Sequence, residues 1–110
     1  MDIKIDKSQL LALAGDNPEM LVPIIEQFRE NSIQLIESMK ASLVSADHAR
    51  IAEYAHQLKG SSGTLGMVSL YNSCVDLESH SGKVTDEVTL VDLLDQVKVS
   101  AQWALSSLSD

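Results

Sequence analysis

The chain has 110 residues, 45% of them apolar and only 4% aromatic, with 16 acidic against 8 basic side chains and a formal net charge of −8. That length holds one core with no room for a second, and that apolar content suits a folded domain, not a disordered one. The negative charge argues against non-specific nucleic-acid binding and against an anionic membrane surface, because both need a basic field.

The opening "MDIKIDKSQL" lacks the apolar core of a signal peptide. Asp6 with Gln9 makes a capping pair, and Leu10, Leu11 and Leu13 follow before Gly15, which predicts a short first helix. Asn17 and Pro18 form an N-cap and first-position pair that opens a long second helix. Its apolar face is Leu21, Ile25, Phe28, Leu35, Met39 and Leu43, close to heptad spacing. Pro23 falls about one turn in, so a bend or a later true start is expected there. Asp47 caps a third helix whose inward stripe is Ile51, Ala55, Leu58, Ser62 and Leu65.

A fourth helix begins near Met67 to Ser69 and buries Leu70, Cys74 and Leu77. Cys74 is the lone cysteine, which excludes an internal disulfide and fits a reducing compartment. "HSGKVTD" reads as a turn, and Thr85 or Asp86 caps the last helix, which buries Leu90, Leu94, Val97, Ala101, Ala104 and Leu108. Val99 and Trp103 lie off that stripe; the short first helix is expected to cover them, and a partner surface is the other reading. No apolar run approaches the roughly 20 residues that span a bilayer, so a cytoplasmic chain is expected. No segment alternates with a period of two. The fold class is therefore all-α: an antiparallel up-and-down four-helix bundle with a short extra N-terminal helix across one end.

One stretch departs from good helix-forming practice. "YAHQLKGSSGTLG", residues 54 to 66, carries three glycines beside a histidine. Each glycine in a helix interior costs about 0.8–1 kcal/mol relative to alanine. At about 100° per residue, His56 points roughly 140° away from the Ile51-to-Leu65 stripe and faces solvent. Its helical neighbours are Ala52, Glu53, Lys59, Gly60 and Gly63, three of which carry at most a methyl group. A random solvent face would be filled with long polar side chains. Local rules broken together at one spot mark a functional site, and the glycines read as giving access to His56. His48, in the first turn of its helix, and His80, before the Ser-Gly turn, read as solvated surface.

"AHQLKGSSGTLG", followed by "LYNSCVDLE", resembles the signature of histidine-containing phosphotransfer domains of multistep phosphorelays. The motif there is a histidine with a lysine and a glycine three and four residues on, in a helical bundle of this layout. The resemblance implies that residues 1–110 are a single such domain. His56 would then be the phospho-acceptor, Lys59 would stabilise the phosphoryl oxygens, and Gly60, Gly63, Ala52 and Gln57 would form the docking surface. Some family members use a second basic residue on the next helix; this sequence offers nothing at the matching place, and Lys83 falls in the turn. The implied partners are receiver domains of response regulators or hybrid sensor kinases, with Mg²⁺ in the receiver's acidic pocket. No cofactor or metal of the chain's own is expected, nor a nucleic-acid or membrane partner, and the chain is expected to be a monomer. It would be a phosphohistidine carrier with no ATP-binding domain, not a stand-alone enzyme.

The chemistry suits that role. Phosphoryl transfer asks for a positioned nucleophile and charge neutralisation. With an ordinary pKa of about 6.5, histidine offers a neutral nitrogen near pH 7 without a general base. Three other readings start from the same residues. A sensor-kinase dimerisation helix pair would carry an acid directly after the histidine and a proline soon after, whereas Gln57 follows here and no proline occurs beyond Pro23. A metal site on the Glu53-x-x-His56 pair would need a second such pair and an inward orientation. A helical adaptor in which His56 is inert would need no special surroundings for it.

Overall fold

The computed structural model describes residues 7–83 and 86–108. Five α-helices follow in order: α1 (Lys7–Leu13), α2 (Leu21–Val44), α3 (His48–Thr64), α4 (Val68–Ser81) and α5 (Glu87–Leu108), and a single 3₁₀ turn, Pro18–Met20, precedes α2. The predicted Asp6 cap, the Thr85 cap and the Leu108 side chain lie outside the described residues. Among the described residues there is no strand.

Local chemistry sets the boundaries. Asn17 Oδ1 accepts from the Glu19 N–H, but the turn it caps is the 3₁₀ turn, and α2 proper begins at Leu21. Pro23 therefore sits in the first α-helical turn, where an N–H has no intrahelical acceptor and its loss is harmless. That is the later start, not the bend. Asp47 accepts from the Arg50 N–H at 3.2 Å, and Asp86 from the Thr89 N–H at 2.7 Å, so both act as N-caps. At the far end of α3, Gly66 takes φ +72° and the Met67 N–H returns to the Ser62 carbonyl at 2.9 Å. This left-handed closure turns the chain straight into α4. Gly15 (φ +64°) ends α1 the same way. The α4 helix runs through Ser81, so the expected turn at His80 begins two residues later.

The helices form a square in which α2 packs on α3, α3 on α4, α4 on α5, and α5 back on α2. The core is built from Phe28, Leu35, Met39, Ile51, Ala55, Leu58, Leu65, Leu70, Cys74, Leu77, Leu90, Leu94, Val97, Ala101 and Ala104. The α3, α4 and α5 stripes read from the sequence are thus the buried ones. On α2, Ile24 packs against the core beside Phe28, along with the expected Leu21 and Leu43. Buried serines bond to carbonyls of their own helix, as Ser62 does to Leu58 at 2.7 Å, while Ser73 and Ser100 share a hydrogen bond across α4 and α5 at 3.0 Å.

The short α1 inserts Leu10 into the core, and the Gln9 side-chain amide donates to the Gly63 and Thr64 carbonyls at 2.7 and 2.8 Å. It therefore closes the end of α3, not the surface of α5. Trp103 is left 57% exposed, against expectation. No described helix is long and apolar enough to cross a membrane.

Candidate functional site

The stripe that buries α3 is what aims His56. With Ala55 and Leu58 fully buried, the residue between them must point outward, and the His56 side chain is 66% exposed. At about 100° per residue, Gly60 lies about 40° to one side of it and Lys59 about 60° to the other. The Lys59 side turns toward α4 and the Gly60 side toward α2.

On the α4 side stands a residue that the sequence did not reveal. Glu78 places Oε1 at 2.7 Å from Lys59 Nζ and Oε2 at 3.0 Å from His56 Nδ1. The next helix thus presents an acid to the histidine. Lys59 holds the Glu78 carboxyl below the usual carboxylate range, and the hydrogen bond from His56 acts in the same direction. The same Glu78 bond raises Lys59 above the ordinary lysine range. Glu78 is therefore a carboxylate at neutral pH and can only accept. It follows that Nδ1 donates in this contact, which in the neutral ring leaves the lone pair on Nε2. The sequence reading placed Lys59 ready for a group on the ring; in the structure its ammonium is already paired, with its side chain 24% exposed.

The two site glycines do different things. A Cβ at Gly60 would meet nothing within 4 Å, whereas one at Gly63 would stand 3.1 and 3.3 Å from ring carbons of Tyr71. Gly63 makes room for the Tyr71 ring of α4, which corrects its reading as open surface. Gly60 instead borders a groove of about 650 Å³ between α2 and α3, lined also by Ile24, Phe28, Asn31, Ser61 and Thr64. Gln57 is exposed and Ala52 half-buried. Ser62 is fully buried, in keeping with a packing role.

Other reactive groups are occupied or shielded. Cys74, one turn before Glu78, is fully buried, and that burial pushes its thiol up to about 12. It stays protonated and is no competing nucleophile. His80, in the last turn of α4, has Nδ1 2.8 Å from the Asp76 carbonyl, and His48 begins α3 half-buried. Among the described residues, no group of three or more His, Cys, Asp or Glu side chains is placed to hold a metal ion.

Comparison with known proteins bears on the family and the fold. A family model described as the Hpt domain matches residues 23–103, which takes in most of α2 through α5. No curated protein sequence matches significantly. Among solved structures, a rice protein described as a histidine-containing phosphotransfer protein superposes with a TM-score of 0.84 at 19% identity, covering 96% of this chain and 76% of that one. Histidine-containing phosphotransfer protein B of Pseudomonas aeruginosa gives 0.83 at 21% identity, over 96% and 90% of the two chains. The HPT domain of a Shewanella sensor hybrid histidine kinase gives 0.63 at 20% identity, over 96% and 97%. At such identities the superpositions speak for the fold alone, and the family assignment rests on the sequence match over residues 23–103. The chain belongs to the Hpt domain family, the histidine phosphotransfer carriers of phosphorelays.

Proposed function

We propose that His56 is the residue that carries the phosphoryl group, through Nε2, and that Lys59 neutralises its oxygens. The observation that supports this most is the single arrangement of exposed ring, carboxylate on Nδ1 and lysine one turn along α3. Hpt domains work with receiver domains, so the donor is the aspartyl phosphate of one receiver and the acceptor the aspartate of another. On loading, the Asp O–P bond breaks as the Nε2–P bond forms, and the aspartate carboxylate leaves. Lys59 has three N–H donors, so it can keep Glu78 and still reach a phosphoryl oxygen. Gly60 and the groove beside it offer a receiver a close approach to the ring. Mg²⁺ belongs in the receiver, and this chain supplies the nucleophile and one cation. The chain's charge of −8 favours protein partners over nucleic acid or anionic membrane.

The test is transfer from a phosphorylated receiver to this chain and on to a second receiver. Wild-type protein should acquire alkali-stable, acid-labile phosphate and pass it on. His56→Gln should acquire none while keeping its helical content and melting temperature. Label that persists on His56→Gln would remove His56 from the role, and a wild-type chain that takes none from any receiver would leave a helical adaptor.

A further inference from the structure

We propose that Glu78 keeps the phosphorylated His56 ring protonated at Nδ1, so that the leaving group in the onward transfer is neutral imidazole. This rests on the carrier reading above and says how its second half-reaction is made easy.

The contact is direct, with Glu78 Oε2 3.0 Å from Nδ1. When Nε2 takes the phosphoryl group, its lone pair becomes the N–P bond and the ring, still holding its Nδ1 proton, becomes an imidazolium. In the onward step a receiver's aspartate oxygen forms the new O–P bond. The N–P bond breaks, its electron pair returns to Nε2, and the ring is again neutral with hydrogen on Nδ1. That is the tautomer from which the cycle began, so no proton has to enter or leave. Had Nδ1 lost its proton in between, the same bond cleavage would expel an imidazolate anion, a far poorer leaving group. Onward transfer thus depends on retaining that proton, and a carboxylate on Nδ1 favours the protonated ring.

The surrounding charges are few. On its own helix His56 has Glu53 and Lys59 one turn away, and α4 contributes Glu78, with Cys74 and Tyr71 close enough to act on Lys59. The α2 side of the neighbouring groove offers the uncharged Gln27 and Asn31. Lys59, a cation, disfavours a charged ring, but it is itself bonded to Glu78 Oε1 at 2.7 Å. Glu78 therefore both holds the proton and offsets the lysine. An amide in its place would still accept from Nδ1 and orient the ring, but would do neither of these.

That difference is the experiment. Wild-type, Glu78→Gln and Glu78→Ala chains are loaded with phosphoramidate and purified. The Nδ1 proton of the phosphorylated ring is titrated by ¹⁵N NMR, and transfer to one receiver is timed across neutral and alkaline pH. Glu78→Gln should lose the Nδ1 proton at a pH lower by about one unit, the scale of one exposed charge-assisted contact, and its transfer rate should fall off earlier by the same interval. Glu78→Ala should show the same shift, which makes either variant sufficient. Equal midpoints for wild-type and Glu78→Gln would reduce Glu78 to orienting the ring and overturn the proposal. Failure of wild-type His56 to be labelled would instead strike the carrier reading.

Discussion

At the scale of single residues, the site is a chain of three charges or potential charges in contact: Lys59, Glu78 and His56. The Glu78 pKa is depressed, so whatever its pairing contributes to stability is present above the ordinary carboxylate range and is lost as pH falls through the folded value. The Lys59 pKa is raised, so its contribution is present below the ordinary lysine value and is lost only as pH rises beyond it. The pair therefore persists from about pH 5 to about pH 10 and is intact wherever transfer would be assayed. Lys59→Ala should slow transfer on the order of tenfold, the loss of one charge-assisted contact, with little change in melting temperature. Unchanged kinetics in a stopped-flow or quenched assay would take Lys59 out of the chemistry. The shared outward face of His56 and Lys59 was legible in the sequence because they lie on one helix, where spacing alone fixes their angle. Glu78 was not, because it lies 22 positions from His56 on another helix and nothing in "VDLESH" sets it apart from a solvated acid. Its role appears only once α3 and α4 are packed in register.

At the scale of elements, α3 shows how a helix can be weakened locally without being broken. Gly60 is exposed with open space around its missing side chain, so Gly60→Ala should stabilise the fold by up to about 1 kcal/mol through helix propensity. Gly63→Ala has the same propensity gain, but its Cβ would press on the Tyr71 ring at 3.1 Å, so most or all of the gain should vanish. Urea unfolding of the two variants checks this ordering, and an equal gain at both sites would refute the distinction. Gly60→Gln should keep much of the stability gain. It should still take phosphate from phosphoramidate yet load poorly from a receiver, since a displacement of about 1 Å can cost on the order of 100-fold in rate. The sequence showed both glycines as one bare patch because it resolves angles around α3 and not what α4 brings against them. Caps and stripes were legible for the opposite reason: Asp47, Asp86 and the Ile51-to-Leu65 stripe act within a single helix.

At the scale of the whole molecule, the square of helices puts α3, with His56, at the corner diagonal to α5, with Trp103. The core that holds the square is mostly aliphatic, and its members should dominate stability. Leu58→Ala, at a fully buried position directly beneath the site, should cost about 2–5 kcal/mol. Trp103→Ala, at a position 57% exposed, should cost less than about 1 kcal/mol despite the larger side chain. Comparable losses in denaturant unfolding would mean that Trp103 is structurally engaged. The bundle itself was legible because four amphipathic stripes with short connections have few ways to bury their faces. That a short α1 lies across one end was legible too, but the helix it meets was not, since that depends on Gln9 reaching the carbonyls at the end of α3. This architecture holds the His56 imidazole outward with its Nδ1 occupied. The most direct test is therefore to locate the phosphoryl group by ³¹P and ¹H–¹⁵N NMR after loading the chain from a phosphorylated receiver. Phosphate on Nε2 of His56, with the proton on Nδ1, is the predicted result; phosphate on Nδ1 of His56, or on His48 or His80, would contradict it.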